Sequence, residues 1–369
     1  MVLIVSGIWP PDVGGPASHA PELAGWLRAR GHQVEVVTTA DAPPAPQPYP
    51  VRWASRRLPR GVRHLRALAL VAMRARHADV VYATSMIVRS SAATRLARVP
   101  LVVKVTSDPA FERARRQGLV SGDVAAFQAG GGGLQARVLR QLRDAAVRRA
   151  AHVVCPSTFL RDVIVSWRVP AERVTVLPNA SPVANGVEPT SLGDPPPLVF
   201  AGRLTTANDL DTALAALARL DGASLVVVGD GPERARLEQL RDQLGLGERV
   251  QFVGSASRDG VFGYLRGAEA MVLSSAWENF PHGVVESLAL GTPVIATRVG
   301  GVPEIVTDGE NGLLVHAGDV AALADAISRY LGDPALRARL RAAAAPSVAK
   351  FGQDEIYGRL ERILETAAA

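Results

Sequence analysis

Two carboxylates, Glu278 and Glu286, stand eight positions apart around Phe280-Pro281-His282-Gly283-Val284, a segment that leaves one apolar run and enters a helical one. A carboxylate accepts two hydrogen bonds in parallel, which suits the paired hydroxyls of a sugar or a ribose. The start of a helix leaves backbone N–H groups unpaired and carries the positive end of the helix dipole, so a diphosphate binds there with little further help. The plainer reading makes Glu286 a first-turn acid favoured by that dipole and Glu278 a solvated loop residue. Asp209 and Asp211 form an Asp-Leu-Asp triplet that could be mistaken for a metal motif, but they precede a helical stretch at 212–220, where capping is the more economical role. No metal site and no cofactor is expected.

The elements that must position these groups alternate in type. In the first half, β-rich runs at Val2–Val5, 33–38, Val80–Ala83, 101–105 and 152–156 are separated by helical spacing such as that of 19–30. Strands separated by helices predict a parallel sheet covered on both faces. Residues 179–197, rich in Pro, Gly, Asn and Ser, have the composition of a linker. The pattern then restarts, with strands at Leu198–Ala201, 224–229, 250–253, 270–274 and Val294–Thr297, and helices at 211–220, 232–244, 259–267 and 283–290. The expected fold class is therefore α/β, with two doubly wound units at 1–182 and 183–353. Ligands of such sheets bind outside the carboxyl ends of the strands, and two units facing each other would turn those ends toward one cleft.

At 369 residues and 48% hydrophobic content the chain is long enough for two cores. A single cysteine, Cys155, excludes a disulfide framework and a multi-thiolate metal site, and suits a reducing cytoplasm. The amino end reads as a buried strand rather than a signal peptide. No apolar run approaches the ~20 residues of a membrane-spanning helix. The expected location is cytoplasmic, with a peripheral place at the inner membrane face as an extension of it.

Charge is unevenly divided: residues 1–180 hold 25 Lys and Arg against 11 Asp and Glu, and the remainder holds 16 against 24. Arg52, Arg56, Arg57, Arg60, Arg63, Arg66, Arg74 and Arg76 lie around a helical stretch at 65–73. This basic region suits contact with anionic lipid or with an anionic acceptor. A solvated arginine-rich helix accounts for it as well. Nucleic acid is not an expected partner, because no aromatic residues alternate with these arginines.

Beyond the acidic pair come Ala289-Leu290-Gly291-Thr292-Pro293-Val294-Ile295-Ala296, Gly300-Gly301-Val302-Pro303-Glu304-Ile305-Val306 and Asp308-Gly309-Glu310-Asn311-Gly312-Leu313-Leu314-Val315. Gly202-Arg203-Leu204, Val228-Gly229-Asp230-Gly231-Pro232, Pro156-Ser157-Thr158-Phe159-Leu160 and Leu177-Pro178-Asn179 accompany them, and Pro10-Pro11-Asp12-Val13-Gly14-Gly15-Pro16 supplies a glycine loop near the amino end. Together these segments resemble family 4 of the glycosyltransferases, which have the GT-B fold of two facing Rossmann-like domains. The resemblance covers nearly the whole chain.

That resemblance implies a retaining, metal-independent hexosyltransferase that takes a nucleotide-diphosphate sugar as donor and a glycan, lipid-linked or small-molecule hydroxyl as acceptor. It implies that Glu286 holds the ribose hydroxyls, that Glu278 lies by the transferred sugar, and that the backbone of Phe280, Pro281, His282, Gly283 and Val284 binds sugar and phosphate. Gly14, Gly15 and Gly229 would join the donor site, and Arg203 would neutralise the departing diphosphate through its fork of donors. The last helix, 354–369, would pack back on the first domain.

Two departures stand out. The family usually has a lysine five residues after the arginine, where this chain has Asn208, so one of two cations for the leaving group is absent. Many members also carry a histidine near the reacting sugar, whereas Lys104-Val105-Thr106-Ser107-Asp108-Pro109 has none. Asp108 is the nearest ionisable candidate there, and a turn-forming Asp before proline is its alternative. A weakly catalytic sugar-nucleotide or glycan-binding protein, or a nucleotide-sugar epimerase, are the competing readings. Residues 112–143, with the run Gly130 to Gly133, fall where an acceptor loop is expected, and the glycines suggest mobility.

Overall fold

Short Val, Ile and Leu runs divided by helices build two compact units in a computed structural model of the chain, which describes residues 1–12, 15–120, 124–182 and 186–369. One unit comprises Met1–Pro178 and Ile356–Ala369, the other Asn179–Glu355.

The first unit runs β1 (Val2–Val5), α1 (Gly15–Ala29), β2 (Val34–Ala40), β3 (Val51–Ser55), α2 (Arg60–Ala75), β4 (Val80–Ala83), α3 (Ile87–Ala97), β5 (Leu101–Lys104), α4 (Pro109–Arg116), α5 (Val124–Gln128), α6 (Gly133–Arg148), β6 (His152–Cys155), α7 (Thr158–Ser166) and β7 (Val174–Val176). Its strands form a parallel sheet in the order β3-β2-β1-β4-β5-β6-β7. β1, β4 and β5 are buried along their whole length, as strands covered on both faces must be. One face, with Leu3, Val81, Val103 and Val153, packs under α2, α3, α6 and α7. The described part of 112–143, the expected acceptor loop, is mostly helical. α4, α5 and α6 bury a small core of Ala110, Phe111, Ala114, Phe127 and Ala136, and Arg140 ties down the glycine run by donating to the carbonyls of Phe127, Gly130 and Gly131.

The second unit runs β8 (Leu198–Ala201), α8 (Leu210–Leu217), β9 (Leu225–Val228), α9 (Arg234–Gln243), β10 (Val250–Gly254), α10 (Arg258–Gly267), β11 (Met271–Leu273), α11 (His282–Ala289), β12 (Val294–Thr297), β13 (Gly312–Val315), α12 (Val320–Gly332) and α13 (Pro334–Val348). The parallel order is β10-β9-β8-β11-β12-β13. Helix α14 (Gln353–Ala368) carries the chain into the first unit, where Glu361 accepts from Arg30 and pairs with His32.

The sequence pattern missed β3, β7 and β13. Each is the outermost strand of its sheet, and β3 and β7 are only partly buried. An edge strand has one neighbour, so its composition carries a weaker apolar signal.

Candidate functional site

In the second sheet the strand order reverses between β8 and β11, and the loops leaving the carboxyl ends of these two strands meet there. Such a reversal opens a crevice above the sheet, the usual ligand site of this architecture. The loop after β8 is held by backbone bonds to the loop after β9: Gly202 N–H donates to Val228 O, and Leu204 N–H to Asp230 O. Gly229 and Gly231 allow this approach. A Cβ at Gly229, whose φ is +143°, would fall 1.9 Å from Gly202 O, and one at Gly231 would fall 2.2 Å from Leu204 O. No side chain fits at either position.

Arg203 stands exposed on that loop and pairs with no carboxylate among the described residues. Five residues on, Asn208 ends a short 3-10 turn and joins the two loops. Its Oδ1 accepts from Thr205 Oγ1 at 2.7 Å, its backbone oxygen accepts from Ser274 Oγ at 3.1 Å, and its Nδ2 makes a long contact of 3.5 Å to Ser275 Oγ. Ser275 Oγ in turn donates to Glu278 Oε1 at 2.9 Å. Burial raises the Glu278 carboxyl above its ordinary range, partly offset by the Ser275 hydrogen bond. Ser275 was not singled out from the sequence; its place in the serine pair that follows an apolar strand was the available signal.

Asp209 is in the left-handed region, with φ 43°, and its side chain makes no backbone cap. Its Oδ2 accepts from Thr212 Oγ1, while both oxygens of Asp211 accept from Arg236. The expected capping role is thus replaced by a side-chain contact and an ion pair.

α11 begins beside this crevice. Pro281 occupies its cap position and makes no side-chain cap, and the helix start directs its first-turn N–H groups along the axis. Gly283 brings the turn close to the strands: a Cβ there would lie 3.1 Å from Met271 Cε and 3.6 Å from Ala201 O. Glu286, half-buried on the second turn, has Oε1 3.9 Å from an Arg258 nitrogen, a partner that the sequence did not reveal. His282 is half-buried and Val284 is buried in the core. Phe280, expected to offer its backbone to the donor, also has a structural part. Its ring is buried edge-on against Phe351, and its carbonyl accepts from Asn179 Nδ2 at 3.1 Å, so it anchors the loop.

In the first unit, Gly15 opens α1 after β1, the strand beside that sheet's own reversal, and Gly14 lies outside the described residues. Asp108 requires a correction. It is 2% exposed; Oδ1 caps α4 by accepting from the N–H groups of Ala110 and Phe111, and Oδ2 accepts from Gln128 Nε2 and pairs with Arg143. With both oxygens engaged in a buried site, it holds structure. Lys104, which sequence reading passed over, is buried at the end of β5, and burial depresses its ammonium to about 7 against the opposing pull of Glu22.

Two family models match the chain, "Glycosyl transferases group 1" over residues 188–346 and "Glycosyl transferase 4-like domain" over residues 14–180. A phosphatidyl-myo-inositol mannosyltransferase of Mycobacterium leprae is 30% identical, covering 96% of this chain and 94% of its own. A lipopolysaccharide core biosynthesis glycosyltransferase, LpsE of Rhizobium meliloti, is 36% identical over 46% of this chain, which spans only 47% of that protein. Among solved structures, Anabaena HepE in complex with UDP-glucose has a TM-score of 0.80 at 23% identity, with 99% of both chains covered. No helix among the described residues is long and apolar enough to cross a membrane.

Proposed function

Because the chain belongs to the glycosyltransferases of family 4, with the GT-B fold, we propose that it moves a hexosyl unit from a nucleoside-diphosphate sugar to a hydroxyl acceptor with retention of anomeric configuration. The observation that carries this reading is the meeting, at the reversal of the second sheet, of Arg203, the Asn208–Ser275–Glu278 chain and the first turn of α11.

In this reading the diphosphate lies on the N–H groups of His282, Gly283 and Val284, with Arg203 supplying a full positive charge. Glu286 accepts from the two ribose hydroxyls, and Glu278 uses its second oxygen for a hydroxyl of the transferred sugar. The acceptor oxygen attacks the anomeric carbon on the face that the diphosphate leaves. The bond from that carbon to the phosphate oxygen breaks, the new glycosidic bond forms, and the acceptor proton passes to the departing phosphate. Arg203 and α11 stabilise the charge that grows on the leaving group, so no metal is assigned a step.

Asn208 takes a positioning role. An amide cannot neutralise phosphate, but it braces Ser275, which orients Glu278. The same substitution favours the second reading, a protein that binds donor and turns it over slowly. Incubation with UDP-, GDP- and ADP-hexoses and a panel of hydroxyl acceptors tests both readings, with NMR of the new glycosidic linkage. A product with the donor's anomeric configuration is expected. Inversion refutes the proposed mechanism, and donor binding without turnover supports the second reading.

A further inference from the structure

The first unit exposes apolar side chains where a helix of a water-facing surface carries polar ones. All the large hydrophobic residues found exposed among the described residues belong to this unit, and all but Phe159 lie on α2, α3 and α6. α3 packs against both α2 and α6 on one face of the sheet, so the three form a continuous layer.

The outward stripe of each helix is legible at helical spacing. On α2 it is Val62, Leu65, Ala69 and Met73, opposite the buried Ala67, Val71 and Ala75; Leu65 is 68% exposed. On α3 it is Val88, Ala92 and Leu96, and on α6 it is Leu134, Val138 and Leu142. These apolar stripes are additional to the usual core-facing ones, which α2, α3 and α6 also have.

Arginines border these stripes. Arg66, Arg76, Arg95, Arg137, Arg148 and Arg149 are exposed, and none pairs with a carboxylate among the described residues. α2 and α3 contain no Asp or Glu, and the one acid of α6, Asp144, pairs with Arg143. Burial above all, and then the neighbouring charges of Arg113 and Arg63, push the Arg89 guanidinium on α3 below its ordinary value.

We infer that the α2–α3–α6 face docks on an anionic lipid surface, its aliphatic stripes entering the headgroup region and its arginines meeting lipid phosphates. The inference is independent of the donor site, since every residue it uses belongs to the other unit. A second copy of the chain is a poorer occupant, because a symmetric pairing would set these arginines against their own images. A nucleic acid would seek stacking rings between the cations, and these positions are aliphatic.

The test is co-sedimentation of the full chain with vesicles of phosphatidylcholine and phosphatidylglycerol, and with vesicles of phosphatidylcholine alone. Binding is expected only to the anionic vesicles and is expected to weaken with added salt. Arg66→Ser with Arg95→Ser should weaken it by about 25-fold, and Leu65→Glu with Met73→Glu by at least about tenfold. Both variants change exposed positions, so an unchanged melting temperature checks that they fold. Equal binding to both vesicle types, or no binding to either, overturns the inference. A dimer in light scattering that Leu65→Glu dissolves, without vesicle binding, assigns the face to a second copy instead.

Discussion

Removing the Asp108 carboxylate separates a structural role from a catalytic one. Oδ1 satisfies two first-turn amides of α4, at 2.9 and 3.2 Å, and loss of such a cap costs about 1 kcal/mol. Oδ2 faces Arg143, which is 3% exposed and stacks on Trp167 with its guanidinium carbon 4.0 Å from the ring centroid. Deleting one partner of a buried pair costs about 3–5 kcal/mol, and the lower end applies because Asp144 still holds Arg143 at 2.8 Å. Asp108→Ala should therefore lose about 4 kcal/mol of stability. Asp108→Asn keeps the cap but turns an amide donor toward Arg143 or Gln128, so it should lose about 3 kcal/mol. Adding Arg143→Met to Asp108→Ala should recover part of the loss, with a coupling of about 2 kcal/mol in the double-mutant cycle. Denaturant unfolding measures these differences, and transfer kinetics well below the transition should stay within about threefold of the parent. A variant that melts with the parent yet loses turnover a hundredfold would refute the structural assignment and return Asp108 to the reacting centre.

Further expectations concern charge in buried places. Asn208→Lys restores a cation beside the proposed leaving group and should raise kcat by about tenfold or more; an unchanged kcat would mean that another cation already serves. The Glu278 carboxyl is raised by burial, so the folded state holds its proton to higher pH than the unfolded state, and its contribution to stability falls as pH rises through the raised value. Glu278→Gln should thus gain melting temperature over the parent from acid to neutral pH, and a pH-independent difference would contradict this. Lys104 shifts the other way: between about 7 and 10.5 the unfolded chain binds the extra proton, so stability grows with pH in that window. Lys104→Met should be more stable than the parent at neutral pH, with a ceiling of about 5 kcal/mol, and the advantage should shrink toward pH 10.5. A destabilised variant at neutral pH would show that the Glu22 partnership outweighs desolvation.

The doubly wound units were legible because their central strands are apolar on both faces and their helices are periodic, signals that survive in a single sequence. The edge strands β3 and β7 lacked that signal. Glu278 and Glu286 were legible from type and spacing, whereas the Arg258 partner of Glu286 was not, because α10 approaches α11 only in three dimensions; the Ser275 partner of Glu278 lies in the same loop, but which oxygen its hydroxyl meets depends on the loop's fold. Asp108 misled because an aspartate before proline reads alike as a cap or a reactive group, and Arg143, 35 positions away, decides between them. The sequence marked the Phe280 backbone as part of the candidate loop but not that its ring belongs to the core under it.

The central claim is that the reversal of the second sheet binds a nucleoside-diphosphate sugar through α11 and Glu286. Calorimetric titration of the full chain and of Glu286→Ala with UDP-, GDP- and ADP-hexoses tests it most directly. At least one donor should bind the parent, and the variant should bind that donor about 10- to 100-fold more weakly, as loss of hydrogen bonds to a charged group requires. Absence of binding by every donor, or equal affinity in the Glu286→Ala protein, would contradict it.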